Sequence, residues 1–182
     1  MSKKGVIQMS LEDRIKNIKL MGFDVDGVLT DGSILLTPDD EIKIFNVKDG
    51  LGITMARKLG FIIIFISGRK SLSLEKRAKE LKVDYLITDC DDKISELSKI
   101  LEELNMDYEN LAYMGDDYND LSLLEICGVS ACPGDALEAV KERVDMVIED
   151  FGGKGAVRSF IEKILRVQNK LDQGIKFYFK DY

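Results

Sequence analysis

The sequence predicts an α/β fold: a doubly wound, Rossmann-like parallel sheet flanked by helices, with a β-hairpin inserted after the first strand and no cap domain. Three observations support this prediction. Short apolar segments alternate with longer amphipathic ones, the segment FIIIFI at residues 61–66 is apolar on both faces, and polar residues directly follow several apolar segments. Strands that alternate with helices form parallel sheets, whose central strands are buried on both faces.

The predicted elements follow a β-α order after a short first helix. Ser10 and Asp13 form the capping-box pattern that opens this helix. The turn residues TPDD lie between two short alternating segments and predict a hairpin over about residues 33–45. Strands of the main sheet are predicted at residues 18–23, 61–66, 85–87, 111–114, 129–131 and 146–148. Helices between and after them are predicted at residues 51–59, 71–81, 94–104, 136–141 and 155–168.

The chain is predicted to form a single domain over residues 1–182. This length suffices for one hydrophobic core, and no linker, low-complexity tract or repeat divides the sequence. No segment is long enough to form a separate cap domain. Only the tail at about 169–182, which contains Phe177, Tyr178 and Phe179, is predicted to be peripheral.

Composition and charge exclude several classes of function. The net charge is −7 and no Lys/Arg-rich block is present, so nucleic acid is not an expected partner. No apolar run approaches the roughly 18 residues of a membrane span, so no membrane contact and a cytoplasmic location are expected. The chain contains no histidine, which excludes Ser-His-Asp triads and histidine-bound metals. Cys90, Cys127 and Cys132 lack the spacing of a zinc site and are expected to be reduced, buried thiols.

Polar residues cluster where the predicted strands and helices meet. In open α/β sheets the ligand crevice lies beyond the carboxyl ends of the strands, so these residues are expected to converge. They are Asp24, Asp26, Ser67, Arg69, Lys93, Asp116, Asp117 and Asp120. Two carboxylates about 4 Å apart repel by about 4 kcal/mol at an effective dielectric of about 20, so Asp24 beside Asp116 would need a cation. Mg²⁺ is the usual cation at such phosphoryl-transfer sites, and no acidic cluster has the EF-hand spacing.

The segments DVDGVLTDG, SGR, Lys93 and GDDYND stand in the order and approximate spacing of four motifs, so the chain resembles the haloacid dehalogenase superfamily over nearly its whole length. This resemblance implies a Mg²⁺-dependent phosphatase. The implied catalytic residues are the nucleophile Asp24, the general acid/base Asp26, the phosphate-binding Ser67 and the charge-neutralising Lys93. The implied metal ligands are Asp24, the backbone carbonyl of Asp26, and Asp116.

The roles of Asp117 and Asp120 stay open at this point. The motif allows either residue to contact the metal through water or to orient Lys93 from behind. In the implied reaction, Asp24 displaces the alcohol to form an aspartyl-phosphate, while Asp26 protonates the leaving oxygen and later activates water.

A closer resemblance connects the strings FNVKDGLGI, ISGRKSLSLEKRA, DK and GGKGAVR to the 3-deoxy-D-manno-octulosonate 8-phosphate phosphatases, a capless branch of the superfamily. It implies a sugar-acid substrate, whose carboxylate suits an arginine fork. The implied substrate-binding residues are Asp26, Asn46, Val47, Lys48, Asp49, Gly50, Arg69, Arg77 and Lys93. Two positions depart from this family: Lys48 stands where it commonly has arginine, and Thr54 stands where an arginine would be expected to help hold the substrate. A phosphatase for nine-carbon, sialic-acid-like sugar phosphates, such as 2-keto-3-deoxynononate 9-phosphate, is the alternative.

The same resemblance implies a homotetramer in which the predicted hairpin helps form the interface. A neighbouring subunit would then shape each active site, which the capless fold leaves uncovered. The C-terminal tail of one subunit would approach the site of its neighbour.

Three other classes remain as alternatives. A phosphorylation receiver module also groups acids, a hydroxyl and a lysine at strand ends, but its lysine comes last, whereas Lys93 precedes the GDD segment here. A phosphomutase would need a cap to exclude water. A catalytically silent structural subunit would not be expected to keep the complete set of reactive residues.

Overall fold

The computed structural model describes residues 9–179. In this part of the chain, the strands are β1 (Leu20–Asp24), β2 (Leu35–Leu36), β3 (Glu41–Ile42), β4 (Ile62–Ile66), β5 (Tyr85–Ile87), β6 (Leu111–Met114), β7 (Val129–Cys132) and β8 (Met146–Val147). The helices are α1 (Leu11–Lys16), α2 (Val47–Lys58), α3 (Leu72–Leu81), α4 (Lys93–Leu104), α5 (Leu121–Ile126), α6 (Glu138–Lys141), α7 (Ala156–Val167) and α8 (Leu171–Lys176).

The main sheet has the order β5-β4-β1-β6-β7-β8, and all of its strand pairs are parallel. The predicted doubly wound α/β fold is therefore confirmed. Strand β1 lies at the point where the chain reverses its direction across the sheet. Every residue of β1 is buried, because helices cover both faces of the sheet.

Two apolar layers fill the space between the sheet and the helices. On one face, Phe23 packs edge-to-face against Phe65 and Phe160, with ring centroids 6.4 and 6.3 Å apart, and α1, α2, α3 and α7 complete this layer. On the other face, Ile64 and Leu97 belong to a layer that α4, α5 and α6 close. Alternation along each strand supplies both layers from the same sheet.

Three helices differ from the sequence prediction. α2 begins at Val47 rather than at residue 51, because the Asn46 side chain accepts the backbone N–H of Lys48 at 2.8 Å and caps the helix. The tail predicted to be peripheral contains α8, in which Leu171 and Gly174 are buried and Gly174 packs closely against Met55 of α2. α5 was also not predicted.

The hairpin after β1 exists but is short. β2 and β3 pair antiparallel over two residues each, and the Thr37 backbone N–H donates to the Asp40 carbonyl at 2.8 Å across the turn. Within residues 9–179, no segment forms a cap over the carboxyl edge of the sheet. None of the helices in this range combines the length and the apolar character needed to span a membrane.

The three cysteines are free and buried, as expected. Burial raises the pKa of the Cys127 thiol to about 12, and that of Cys132 to about 11. Such thiols are not nucleophilic near neutral pH.

Candidate active site

The carboxyl ends of three adjacent strands bring the main candidate residues to one edge of the sheet. Asp24 ends β1 and pairs with Ile66, so Ser67 follows at the neighbouring strand end. On the other side, Phe23 pairs with Met114, and β6 leads directly into the GDD segment. Because β1 is also where the strand order reverses, this edge is the expected ligand crevice of the fold.

Asp24 and Lys93 form a buried ion pair at the centre of the site. Asp24 is 5% exposed and accepts a hydrogen bond from the Lys93 ammonium at the start of α4. Burial raises the pKa of Asp24 well above its usual range, and the charge of Asp120 adds to this effect while Lys93 opposes it. Burial lowers the pKa of Lys93, but the charges of Asp24 and Asp120 outweigh it and raise the pKa overall. Lys93 is therefore a fixed positive charge against Asp24.

Asp120 fixes the position of the Lys93 ammonium. Its Oδ1 accepts the Lys93 ammonium at 2.7 Å and the Tyr113 hydroxyl at 2.6 Å, and its Oδ2 accepts the backbone N–H of Asp116 at 3.1 Å. Asp117, in contrast, is exposed, and its side chain accepts the backbone N–H of Tyr118 at 2.6 Å. Of the two acids left open by the sequence, Asp120 contacts Lys93 and Asp117 caps a turn.

Asp116 lies against the loop that follows β1. A Cβ atom at Gly27 would stand 2.1 Å from Asp116 Oδ2, and Gly27 has a φ of +98°, so only glycine permits this close approach. Burial raises the pKa of Asp116 to about 7, and the charges of Asp120 and Asp117 contribute further. The site therefore contains carboxylates whose charges are incompletely balanced.

Asp24, Asp116 and Asp120 form a cluster that could hold a cation. Each offers a carboxylate oxygen, and these oxygens lie within 4.8 Å of one another. The ammonium of Lys93 balances only part of their charge. Asp120 is 0% exposed and fully engaged in hydrogen bonds, so Asp24 and Asp116 are better placed as ligands. Such oxygen donors fit a hard divalent cation.

Asp26 is connected to the hairpin by a chain of charged side chains. Its Oδ1 contacts the Lys43 ammonium at 2.5 Å, and Lys43 also contacts Glu41 Oε1 at 2.8 Å. The other oxygen of Glu41 accepts both Nε and Nη2 of Arg69, at 3.0 and 2.8 Å. Arg69 itself is half exposed at the rim of the site.

Ser67 is buried at the end of β4, next to the Asp24 strand end. Its Oγ accepts the backbone N–H of Arg69 at 3.0 Å, and its backbone carbonyl accepts the N–H of Cys90. These bonds fix the tight SGR turn and leave the Ser67 hydroxyl hydrogen available to a further acceptor.

The predicted substrate segment at residues 46–50 divides into two parts. Val47 and Lys48 are exposed at the start of α2, and Asn46 is half buried. Asp49 is 1% exposed and its Oδ1 accepts the backbone N–H of Arg158 at 2.8 Å, so it caps the start of α7. The substrate contact predicted for Asp49 stays a prediction, which this buried placement does not support. The neighbouring Thr54 hydroxyl donates to a carbonyl of its own helix.

Arg77 and Gly50 form an internal contact rather than a substrate surface. The Arg77 Nη2 donates to the Asn46 carbonyl at 3.1 Å, and its Nη1 pairs with Glu80 at 2.9 Å. A Cβ atom at Gly50 would stand 2.1 Å from Arg77 Nη2, so the glycine lets the guanidinium cross the first turn of α2. The substrate contacts predicted for Gly50 and Arg77 stay predictions, and the contacts seen within one subunit do not support them.

The segment GGKG, residues 152–155, packs against the loop that carries Asp26. A Cβ atom at Gly152 would stand 1.9 Å from the Gly27 carbonyl oxygen, and the Gly153 N–H donates to the Val28 carbonyl at 2.9 Å. Lys154 adds an ion pair with Asp31 at 3.1 Å. The two loops therefore support each other at the edge of the site.

Sequence reasoning missed Lys43, Glu41 and Tyr113 as parts of the site. Lys43 and Glu41 alternate with two isoleucines in the predicted hairpin, and this alternation was the available signal, but it does not show which face turns inward. Tyr113 lies within an apolar strand and gave no signal of its polar contact.

Comparisons with known proteins agree with this architecture. A family model described as haloacid dehalogenase-like hydrolase matches residues 86–161. The 3-deoxy-D-manno-octulosonate 8-phosphate phosphatase KdsC of Escherichia coli K12 is 37% identical over 170 residues, which are 93% of this chain and 90% of that protein.

Two solved structures are similar in both fold and sequence. A probable yrbi family phosphatase from Pseudomonas syringae superposes with a TM-score of 0.90 at 41% identity, covering 94% of this chain and 98% of that one. A 3-deoxy-D-manno-octulosonate 8-phosphate phosphatase from Moraxella catarrhalis, in complex with a magnesium ion, a phosphate ion and KDO, superposes with a TM-score of 0.89 at 35% identity, covering 93% and 98%.

These similarities define the class of the protein: the chain belongs to the haloacid dehalogenase-like hydrolase family. The resemblance inferred from the motifs is thereby confirmed, and a receiver module is not supported. The relatives and solved structures reported above are phosphatases by name.

Proposed function

We propose that this protein hydrolyses 3-deoxy-D-manno-octulosonate 8-phosphate to the free sugar acid and phosphate, using Mg²⁺. The observation that supports this proposal most directly is the buried Asp24 carboxylate, held against Lys93 at the sheet edge with Asp116 close by. Two of the relatives reported above are named as phosphatases of that sugar phosphate.

In this proposal Asp24 is the nucleophile. An oxygen of its carboxylate forms a bond to phosphorus as the bond from phosphorus to the sugar oxygen breaks, which gives an aspartyl-phosphate. Lys93 offsets the negative charge near the transferred group, and Asp120 and Tyr113 hold Lys93 in place. The Ser67 hydroxyl, whose hydrogen is not used in the SGR turn, would donate to a phosphate oxygen.

Asp26 is the proposed general acid and base. It gives a proton to the leaving sugar oxygen in the first step, and in the second step it takes a proton from the water that attacks phosphorus. That attack breaks the bond between Asp24 and phosphorus and returns the carboxylate. The Asp26 side chain is 21% exposed, so it is accessible from the crevice.

Asp24, Asp116 and the backbone carbonyl of Asp26 are the proposed Mg²⁺ ligands. Bound Mg²⁺ would balance the charge of the acidic cluster and of the phosphate oxygens. The raised pKa values of Asp24 and Asp116 fit this assignment, because burial and neighbouring carboxylates disfavour their ionised forms, which a bound cation would stabilise.

We propose that the exposed residues at the edge of the site select the substrate, rather than all of the substrate-binding residues predicted from the sequence. Arg69 is half exposed beside the SGR turn, and Lys48 and Val47 are exposed at the start of α2. A guanidinium at this rim suits the carboxylate of the sugar acid. Lys48 replaces a family arginine but keeps its charge.

The hairpin supports a proposed homotetramer. Leu36 and Ile44 are 73% and 74% exposed, whereas Glu41 and Lys43 on the inner face are buried. An apolar face of this kind is expected to be covered, and the resemblance assigns that role to other copies of the chain. The tail could then reach a neighbouring site, because α8 packs beside α2 and does not fold over its own site.

A substrate panel tests this proposal. Purified protein would be assayed for phosphate release from 3-deoxy-D-manno-octulosonate 8-phosphate, 2-keto-3-deoxynononate 9-phosphate and 4-nitrophenyl phosphate, with Mg²⁺ and with EDTA. We expect the highest kcat/KM for the eight-carbon sugar and loss of activity in EDTA. A higher kcat/KM for the nine-carbon substrate would reassign the sugar, and no Mg²⁺-dependent release from any of the three would refute the proposal.

A further inference from the structure

Lys43 is a buried lysine of the hairpin that reaches into the site from outside the four sequence motifs. Its side chain is 0% exposed, and its ammonium contacts both Asp26 Oδ1 at 2.5 Å and Glu41 Oε1 at 2.8 Å. We infer that Lys43 is a positioning residue, which holds the carboxylate of Asp26 in the orientation needed for proton transfer. This inference rests on the proposed function, because it assigns a role within that reaction.

Burial of the Lys43 ammonium makes its pairing with Asp26 obligatory. An ammonium removed from water is strongly destabilising unless carboxylates surround it, so Lys43 cannot leave its two partners at little cost. The Asp26 carboxylate must therefore stay turned toward the hairpin. A solvent-exposed lysine would impose no such orientation.

The hairpin backbone at Lys43 is itself anchored. The Lys43 backbone N–H donates to Ser73 Oγ at 3.1 Å, and the Ser73 hydroxyl donates to the Glu41 carbonyl at 3.3 Å. Asp40 accepts the backbone N–H of Leu72 at 3.2 Å. These bonds tie the hairpin to the start of α3, so the ammonium approaches Asp26 from a fixed point.

The pairing leaves one oxygen of Asp26 for the reaction. Within residues 9–179, the hydrogen bonds of the Asp26 side chain engage Oδ1 alone. Because the side chain is 21% exposed, Oδ2 can face the crevice while Lys43 fixes Oδ1. An acid that must serve in two successive steps benefits from one held oxygen and one reactive oxygen.

Glu41 extends the same contact to the substrate rim. It accepts the Arg69 guanidinium through Oε2 and the Lys43 ammonium through Oε1. Loss of its charge should release Arg69 while Lys43 keeps Asp26 as a partner. We therefore expect Lys43 to affect kcat and Glu41 to affect KM.

The test compares leaving groups that differ in their need for a proton. A sugar alkoxide must be protonated as it departs, whereas 4-nitrophenolate departs unprotonated. In Lys43→Met, the quench-flow rate of aspartyl-phosphate formation from 3-deoxy-D-manno-octulosonate 8-phosphate should fall about 10- to 100-fold. The burst of 4-nitrophenolate should stay within about threefold of the wild type, followed by slow turnover because water activation also needs Asp26.

Two further variants and a folding measurement complete the experiment. Lys76→Met removes an exposed lysine near the same hairpin and should leave both rates unchanged. Glu41→Gln should raise KM for the sugar acid about tenfold with little change in kcat. Thermal unfolding and the size of the burst report whether each variant remains folded with a competent nucleophile.

The outcomes separate this inference from the proposed function. One outcome is that the wild-type protein shows a burst while Lys43→Met loses the rate of aspartyl-phosphate formation equally with both leaving groups. That result would show that Lys43 is only structural, and it would overturn the inference but not the proposed function. Unchanged rates in Lys43→Met would overturn the inference as well. The absence of Mg²⁺-dependent phosphate release by the wild-type protein from all three substrates of the panel would overturn both the inference and the proposed function.

Discussion

The central sheet and the hairpin after β1 bury opposite kinds of side chain. In β4, Ile64 is 0% exposed and packs in an apolar layer below a helix. In the hairpin, Ile44 is 74% exposed while Lys43 beside it is buried. The sheet follows the usual rule that apolar side chains face inward. In the hairpin of one subunit the arrangement is the opposite, because the apolar side chain is exposed and the charged one is buried.

The difference shows what each region does. The sheet provides rigid strand ends that carry Asp24 and the GDD segment. The inner face of the hairpin is polar because it contacts Asp26 and Arg69, and its outer face is apolar because, in our proposal, another copy covers it. Five predictions test this comparison.

The largest effect is expected at the strand end. Asp24→Asn keeps the shape of the side chain but removes the nucleophile, so kcat should fall by about 10⁵-fold or more. Phosphate release measures this loss, and circular dichroism should show an unchanged fold. Asp91→Asn, which changes an exposed acid in a neighbouring loop, should keep full activity. Activity near wild type in Asp24→Asn would contradict the assignment.

The second effect concerns the core of the sheet. Ile64→Ala should lower the free energy of unfolding by about 2–5 kcal/mol, because it leaves a cavity in a fully buried layer. Denaturant unfolding measures this change, which should not depend on protein concentration. A loss below about 0.5 kcal/mol would show that this layer tolerates cavities and would weaken the contrast with the hairpin.

The third effect is the pH dependence of Mg²⁺ binding. Burial raises the pKa of Asp116 to about 7, so Mg²⁺ must displace a proton below that pH. Affinity should weaken by up to about tenfold per pH unit below about pH 7 and level off above it. Calorimetry at about pH 6 and about pH 8 measures this, and equal affinities at both values would exclude the linkage.

The same raised pKa predicts the behaviour of the metal-free protein. Between the usual Asp range and about pH 7, folded Asp116 keeps a proton that the unfolded chain has lost. Stability is therefore expected to fall as the pH rises through this window, and Mg²⁺ should restore it. Melting curves with and without Mg²⁺ measure both trends.

The smallest effect on the subunit fold is expected in the hairpin. Ile44→Asp changes a side chain that is 74% exposed, so the subunit should unfold within about 0.5 kcal/mol of the wild type. Its assembly should nevertheless shift to smaller species in light scattering, because a charge enters the proposed interface. Ile126→Asp, at an isoleucine 42% exposed on α5, is the matched control and should leave the assembly unchanged.

Two results would contradict the proposed difference between the sheet and the hairpin. A wild-type protein that scatters as a monomer would remove the proposed partner of the outer face. An Ile44→Asp variant that keeps the wild-type mass would show that this side chain lies outside any interface.

Most of the fold and part of the site were predictable from the sequence. The strands at residues 85–87 and 111–114 match those of the structure, because their apolar runs have clear limits. α2 was predicted four residues late, because Gly50 and Gly52 weaken its helical pattern and the cap at Asn46 was not identified. The motif residues Asp24, Lys93, Asp116 and Asp120 converge because they follow strands that lie side by side.

The pattern of apolar and polar residues in the sequence by itself determined the order of strands and helices. It also determined which types of polar residue follow each strand, since both features depend on neighbours along the chain. Tertiary structure decided which polar side chains meet. It turned Asp49 toward α7, placed Arg77 over Gly50, and brought Lys43 to Asp26 across 17 positions. Sequence alone cannot fix these pairings, because a charged residue finds its partner only after the packing of whole elements sets the distances between them.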